Sequence, residues 1–338
     1  MIPRPLAGAC RAYGRHKRGI DRAVGWSMLV GTAGGLALAL RGQKEAIAAF
    51  DWSLSWRLFL LSVAAFAVAP LVQAVSFWLI LRLLTGETPF ADAMVVWARS
   101  YLVRYAPSGA LSVVLRLRER QRLRATHEQV LLATAYEHLA ALASGACVCL
   151  AAFLAAGGAP PLVGFAIALP ALALTVAVRP GFAGRLLQNA AARRGLNIPT
   201  LLRGRQLAML VALNATAWPV TGAAVYVLVD GLTPARPAMA WLTGAYALGY
   251  LVGFVAPFSP GGLGSREATV IAALVGRYGT GVAAALAIAI RLANTLGELV
   301  CVGLIETLAL VGRVSRDHGE LPRLLRPAHP GGRRFESG

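Results

Sequence analysis

Long apolar runs recur along the chain, and short segments rich in arginine separate them. The runs fall at 24–40, 58–81, 128–156, 161–178, 206–229 and 281–312. A run of roughly 17 to 25 apolar residues is long enough to cross a bilayer as a helix. Because 57% of the 338 residues are hydrophobic and only 14% are charged, the composition does not suit a soluble domain. We therefore predict an all-α polytopic membrane protein without a separate soluble catalytic domain.

The basic residues indicate how the chain is oriented in the membrane. The net charge is +18, and the arginines flank the apolar runs instead of forming one soluble basic face. This pattern is typical of cytoplasmic loops and argues against nucleic-acid binding. Residues 1–23 and the tail 313–338 are both basic, so we expect both to be cytoplasmic, the tail being disordered.

The first apolar run has two readings. Residues 1–23 followed by the run 24–40 resemble a signal peptide, with a basic flank before a short apolar core. Further apolar runs of the same kind follow, so we expect the segment to be retained as a transmembrane helix.

A broken helix in the second half of the chain predicts a polar site at membrane depth. The hydrophobic segment that contains Tyr250 is interrupted by the residues Pro257, Pro260, Gly261, Gly262 and Gly264, and then restarts with Arg266 and Glu267. Backbone broken in this way is tolerated within a membrane where it is buried in protein or lines water. A charge near the bilayer centre costs about 2.5–3.5 kcal/mol even on the most permissive scale, so such charges usually have a function.

The segment 88–124 is also unsuited to face lipid along its length. It is half-apolar, breaks at Pro107 and Gly109, and continues into a run of arginines that ends at Arg124. Either it lies in the cytoplasmic interface, or it enters the membrane and returns as a re-entrant hairpin.

These two broken segments form an internal repeat. Tyr101–Gly109 is similar to Tyr250–Pro257 with its following glycines, and 132–137 aligns with 286–291. Three crossings separate the two hairpins, so the second must enter from the opposite side. We therefore predict about six full transmembrane helices and two broken hairpins in an inverted repeat, with halves at about 88–156 and 238–312 inside a membrane domain of 24–312.

The second half carries the candidate binding site. Arg291 lies about 15 Å from the start of the helix 281–312, near mid-bilayer, and Asn294 and Glu298 share its face. We predict that Arg266, Arg291 and the helix N-terminus at Gly264 bind an anion such as phosphate. Glu267 and Glu298 would neutralise the empty site. The counterparts predicted for the first half are Arg104, Arg118, Glu119 and Glu137. The alternative is that Arg291 pairs with Glu267 or Glu298 and only locks helices together.

Other reactive residues do not form a recognisable centre. The four cysteines lack a CxxC pair, and Cys147, Cys149 and Cys301 lie in apolar stretches, which favours small buried residues over disulfides or metal ligands. His138 is interpreted as an interhelical hydrogen-bond donor. We expect no metal, no cofactor and no catalytic residue, and hence not an enzyme.

The motifs at Pro260–Ala268 and Tyr101–Gly109 resemble the membrane domain of lysylphosphatidylglycerol synthases, the flippase-like family. The resemblance covers most of residues 20–315. The motif at Tyr101–Gly109 departs from the family at Ser108-Gly109, where a Gly-rich step is common. The resemblance implies an inner-membrane protein that moves or presents a polar-headed lipid between leaflets. It does not predict synthase activity, since no segment resembles the soluble aminoacyl-transfer domain.

Three functions remain open at this point. The first is a lipid translocator for a phospholipid, a lipid-linked sugar or a hopanoid-related lipid with an anionic or zwitterionic head. The second is a small-solute or ion-coupled transporter of the same inverted-repeat design. The third is an accessory protein or enzyme of a lipid pathway. The expected partners are membrane lipids and enzymes of such a pathway.

Overall fold

The computed structural model describes residues 48, 55–102, 110–158, 164, 201–234, 238–255 and 264–324, and for 312–324 it describes the backbone alone. The helices in chain order are α1 (Trp56–Phe66), α2 (Val68–Thr85), α3 (Phe90–Leu102), α4 (Ala110–Arg118), α5 (His127–Ala155), α6 (Gly204–Ala215), α7 (Ala217–Asp230), α8 (Met239–Val255) and α9 (Ser265–Leu324). The prediction of an all-α fold is confirmed for the described residues. The predicted spans 24–40 and 161–178 lie outside them.

Proline bends two of the transmembrane segments. Helices α1 and α2 form one apolar stretch that bends at Ala67, and α6 and α7 form another that bends at Thr216. Each bend lies three residues before a proline, Pro70 or Pro219. Proline has no N–H for the carbonyl four residues earlier, and its ring clashes with that carbonyl. Each of the crossings expected at 58–81 and 206–229 therefore consists of two helices.

Four segments of the described chain are long and apolar enough to cross a membrane: Trp56–Thr85, His127–Ala155, Gly204–Asp230 and Ser265–Val311. Helix α8 is apolar but shorter, with 17 residues. The protein is therefore a multi-pass membrane protein. The total of six full spans stays a prediction, because two of the expected spans are not among the described residues.

Helices α3 and α4 form the first hairpin. Their described parts have 13 and 9 residues, or about 20 and 14 Å at 1.5 Å per residue, and each is shorter than a core of about 30 Å. The Arg116 Nε of α4 donates a hydrogen bond to Ser100 Oγ of α3 at 2.9 Å, and Trp97 is completely buried. This packing favours a hairpin over a helix lying flat on the membrane surface. Residues 103–109, with the predicted break at Pro107 and Gly109, lie outside the described residues.

The second hairpin pairs α8 with the beginning of α9. Trp241 Nε1 donates to the Ala273 carbonyl at 3.0 Å, and a Cβ on Gly249 would lie 3.2 Å from the Arg266 carbonyl oxygen. The two contacts run in opposite chain order, so the helices are antiparallel. The breaking residues of 256–263 lie outside the described residues, but Gly264, with φ 88°, stands directly before the helix as expected.

A left-handed glycine divides α9 into two arms. Gly279 has φ 72° and ψ 166°, a conformation that residues with a side chain rarely adopt. The short arm, 265–278, belongs to the second hairpin, and the long arm, 280–324, runs beyond the predicted end at 312. The wider domain limits, including a disordered tail at 313–338, stay predictions.

Small residues bring the spans into close contact. A Cβ on Gly297 would lie 2.6 Å from Phe66 Cβ, and one on Gly222 would lie 1.9 Å from Thr243 Oγ1. Cys149 and Cys301 are buried as expected, whereas Cys147 is exposed, contrary to expectation. Exposed leucines such as Leu304 and Leu308 on the long arm of α9 suit contact with lipid tails.

Candidate functional site

A polar cavity lies where the two hairpins and the bent spans meet. It encloses about 490 Å³ of space, including its open side. Its lining comes from seven helices: Ala69, Pro70 and Gln73 of α2, Tyr101 of α3, Ala141 and Ser144 of α5, Asn214 of α6, Ala217, Trp218 and Thr221 of α7, Tyr246 and Tyr250 of α8, and Arg266, Asn294 and Glu298 of α9. Both proline bends border this space, because Pro70 lines it directly and Ala217 and Trp218 follow the bend at Thr216.

Arg266 supplies the positive charge of the cavity. It is the second residue of α9, and only 8% of it is exposed. Its guanidinium carbon lies 4.3 Å from the ring centroid of Tyr246 and 5.9 Å from that of Tyr250. A guanidinium over an aromatic face is held in place by the ring quadrupole. The second hairpin therefore orients its own arginine with two tyrosines spaced one helical turn apart.

A chain of hydrogen bonds leads from Tyr246 to the first hairpin. Tyr246 donates its hydroxyl hydrogen to Asn294 Oδ1 at 2.7 Å, and Asn294 Nδ2 donates to Glu298 Oε1 at 2.9 Å. Tyr101 of α3 donates to the same Glu298 oxygen at 3.4 Å. Glu298 thus connects the long arm of α9 with both hairpins, and the prediction that Asn294 and Glu298 share one helix face is confirmed.

Glu267 and Arg291 pair beside the cavity. Glu267 Oε2 accepts a hydrogen bond of 2.6 Å from the Gly264 N–H, which caps the first turn of α9 as a capping-box glutamate does. Its Oε1 lies 3.5 Å from Arg291 Nε. Arg291 borders a smaller space next to the cavity, together with Arg266 and Glu267. The predicted cluster of Arg266, Glu267, Arg291 and Asn294 is therefore assembled, and Arg291 pairs with Glu267, as the helix-locking alternative states.

The first hairpin contains a second buried ion pair. Arg116 Nη1 lies 2.5 Å from Glu137 Oε2, and both side chains are less than 10% exposed. Arg116 also donates to Ser100 and Thr134, and Trp97 Nε1 donates to Glu137 Oε1 at 2.6 Å. Buried charges require this degree of pairing and hydrogen bonding to be tolerated. The arginine is therefore committed to protein partners and is not part of the cavity lining.

The structure corrects the predicted counterparts in the first half. Glu137 is buried as expected, but Arg118 and Glu119 are exposed and lie outside the buried cluster. Arg104 lies outside the described residues. Arg116 takes the inner position instead, because residues two apart on a helix differ by about 200° and face opposite sides. His138 Nδ1 bonds the Thr134 carbonyl of its own helix at 2.7 Å, so this nitrogen does not form the expected interhelical bond.

Sequence reasoning also missed several residues that shape the site. Arg116 was passed over because Arg118 alone stands before a glutamate, as Arg266 does. Trp97 and Tyr246 occupy equivalent places, each four residues before a tyrosine of the repeat, and this spacing was visible in the sequence. No sequence pattern predicts a role for Asn214 and Thr221, which line the cavity from α6 and α7.

On the described residues, the arrangement suits the binding of a polar group. It combines one arginine, one carboxylate, several amides and hydroxyls, and aromatic walls, all at the depth of apolar helices. Such a site can recognise a polar group with an anionic centre.

Comparison with known families agrees with this picture. The family model described as the lysylphosphatidylglycerol synthase TM region matches residues 24–301. No curated protein matches the chain significantly. The matched region contains the bent spans, both hairpins and all the residues that line the cavity, and the protein therefore belongs to the family of the lysylphosphatidylglycerol synthase TM region.

Proposed function

We propose that this protein is a flippase-like lipid translocator that moves, or presents, a lipid with an anionic or zwitterionic head between the leaflets of the bacterial inner membrane. The family membership indicates a membrane protein related to lipids. The observation that carries the proposal is the cavity in which Arg266 and Glu298 stand among apolar spans. A head group has to leave water to cross a bilayer, and such a cavity replaces part of its hydration.

The positions of the two hairpins support alternating access. Thr88 Oγ1 donates to the Leu123 carbonyl at 3.0 Å, so the first hairpin begins and ends at one end of the bundle. Ser55 N donates to the Gly231 carbonyl at 3.1 Å, which places the start of α1 and the end of α7 at the other end, where the second hairpin begins. This supports an inverted repeat whose halves open the same central site to opposite leaflets.

The distribution of arginine supports a cytoplasmic location for the first of these ends. The arginines there include Arg82, Arg118, Arg120, Arg122, Arg124, Arg203 and Arg205, whereas Arg57 and Arg277 lie at the opposite end. An excess of arginine marks the cytoplasmic side. With the unobserved spans 24–40 and 161–178 each crossing once, both termini are cytoplasmic and the 41–57 and 230–237 loops are outside.

The role proposed is non-enzymatic. Several polar groups around the cavity form hydrogen bonds with one another, and the described lining residues include no pair of nucleophile and base. The proposed role of the site is therefore to bind and release a ligand. Partner enzymes of a lipid pathway would supply or consume the lipid, and no cofactor is required for movement down a gradient.

The test is leaflet exchange in proteoliposomes. Phosphatidylglycerol labelled on its acyl chain is exchanged between leaflets, and a membrane-impermeant quencher reports the outer fraction over time. Wild type should exceed empty vesicles clearly, and Arg266→Ala should fall to near the empty-vesicle rate. Arg118→Ala, which removes an exposed arginine, is the matched control and should behave as wild type.

Two results would contradict the proposal. If wild-type vesicles exchange no anionic or zwitterionic lipid faster than empty vesicles, with or without an ion gradient, the protein is an accessory and not a translocator. If Arg266→Ala exchanges lipid as fast as wild type, the cavity is not the path.

A further inference from the structure

Three polar side chains in the cavity wall, Ser144, Asn214 and Thr221, donate their hydrogens to the protein itself. Asn214 Nδ2 donates to Ser76 Oγ at 2.9 Å and to the Leu210 carbonyl at 2.8 Å. Since a carbonyl oxygen can only accept, the amide nitrogen is fixed on that side and Asn214 Oδ1 is left as an acceptor. Thr221 Oγ1 donates its hydrogen to the Ala217 carbonyl at 2.9 Å, which leaves the lone pairs of this oxygen.

Ser144 also retains hydrogen-bond acceptor capacity. Its hydroxyl donates to the Ala141 carbonyl at 2.9 Å, and it accepts from Trp218 Nε1 at 3.0 Å. A hydroxyl oxygen has two lone pairs, so a further acceptor position remains. Ser144, Asn214 and Thr221 come from α5, α6 and α7, and together they form a wall of oxygen acceptors with no net charge.

The opposite polarity belongs to Arg266. A guanidinium has donors and no acceptor, and it recognises phosphate oxygens well. The guanidinium carbon of Arg266 lies 4.3 Å from the ring centroid of Tyr246 and 5.9 Å from that of Tyr250, so it takes the place that a ligand cation would have over Tyr246. The cavity therefore has a donor pole at Arg266 and an acceptor wall at Ser144, Asn214 and Thr221.

We propose that the cavity selects lipid heads that carry hydrogen-bond donors, namely hydroxyl or N–H groups, attached to a phosphate. The phosphate oxygens would bind Arg266, and the donors would satisfy the acceptor wall. A phosphate with a quaternary ammonium has no O–H or N–H hydrogen, so it would leave the wall oxygens desolvated and without partners, which is the costly arrangement. The transport measurement of this selectivity rests on the proposed function, whereas a binding measurement tests the selectivity independently of transport.

Two matched pairs of lipids separate the effect of hydrogen-bond donors in the head group from the effect of its net charge. Phosphatidylethanolamine and phosphatidylcholine are both zwitterionic, and the first alone has N–H donors. Phosphatidylglycerol and phosphatidylmethanol are both anionic, and the first alone has hydroxyl donors. Each is labelled on its acyl chain and measured for leaflet exchange in wild-type proteoliposomes. Retention of each unlabelled lipid on the purified full chain is measured in parallel by native mass spectrometry.

The donor-bearing member of each pair should exchange faster and be retained more strongly, by roughly two- to tenfold, as expected for one hydrogen bond. Thr221→Val keeps the shape but removes the acceptor, so it should shrink this ratio in both pairs. Thr221→Ser keeps the acceptor and should restore it. Thr216→Val is the control, because Thr216 makes the same kind of bond, to the Leu213 carbonyl at 2.7 Å, but is exposed and does not line the cavity.

Equal exchange and equal retention within both pairs would overturn the selectivity while leaving translocation intact. A ratio that Thr221→Val does not change would show that the acceptor wall is not its source, and would also overturn the proposal. If no lipid is exchanged at all, the translocator fails, but unequal retention that depends on Thr221 would still support the selectivity.

Discussion

Arg116 and Glu137 form a buried ion pair of 2.5 Å between the first hairpin and the helix that follows it. In the second half the signs are exchanged, because Glu267 of the hairpin lies 3.5 Å from Arg291 of the following arm. In the alignment of the halves, Arg291 stands where Glu137 stands. An ion pair thus joins each hairpin to its next helix, and the second hairpin also carries Arg266, which lines the cavity. Because of this exchange of charges, we place the proposed anion site in the second half alone.

Breaking the pair in the first half should destabilise the fold. Arg116→Ala leaves Glu137 buried without its cation, and removing one partner of a buried pair costs about 3–5 kcal/mol. Thermal unfolding in detergent should show a markedly lower midpoint. Arg118→Ala should leave the midpoint unchanged, because that side chain is exposed. If Arg118→Ala lowered the midpoint more than Arg116→Ala, the result would favour Arg118, the residue that the sequence repeat suggested.

Arg266→Lys should impair transport while preserving the charge. Lysine lacks the planar fork that lies over Tyr246 and that binds phosphate with two hydrogen bonds. We expect leaflet exchange between that of wild type and that of Arg266→Ala, with a normal elution profile. An unimpaired lysine variant would reduce the role of Arg266 to a point charge.

Arg291→Ala should act differently from Arg266→Ala. Arg291 lies within ion-pair distance of Glu267, which also caps α9, so its loss should lower both thermal stability and transport. Arg291→Lys should rescue part of each. If Arg291→Ala abolishes transport with unchanged stability, Arg291 binds the head group directly instead of locking the second hairpin.

Gly297→Ala should destabilise the contact between α9 and α1. The added Cβ would lie 2.6 Å from Phe66 Cβ and 2.8 Å from the Val63 carbonyl oxygen, so one helix has to shift, and overpacking costs about 1–3 kcal/mol. Gly303→Ala on the same arm meets nothing within 4 Å and should be neutral or stabilising by up to about 1 kcal/mol. Thermal unfolding of the two variants compares them directly.

The orientation can be tested by labelling single cysteines in intact cells, on a background without the four native cysteines. A membrane-impermeant thiol reagent should modify a cysteine at 234 and spare one at 124. Permeabilised cells provide the control, in which both positions should react. Modification of position 124 in intact cells, with position 234 spared, would place the arginine-rich end outside.

The sequence alone determined the class of protein and the broken hairpins. Apolar runs at 128–156 and 206–229 predict helices, because their backbone polar groups have no other means of satisfaction in lipid, and α5, α6 and α7 lie there. The Gly264 break and the face shared by Asn294 and Glu298 follow from local chemistry, namely a left-handed glycine and a helical period of 3.6 residues. These features need no knowledge of distant contacts.

Only the tertiary structure decided which charges are used for locking and which line the cavity. The sequence pattern favours Arg118, which stands before a glutamate as Arg266 does, but the packing of α4 against α3 and α5 buries Arg116 instead. Asn214 and Thr221 line the cavity from the two helices that meet at Thr216, and the orientation of Asn214 depends on its hydrogen bond to Ser76 of α2. Such roles depend on which helices approach each other, and that is fixed by the summed packing of distant segments instead of by any local signal.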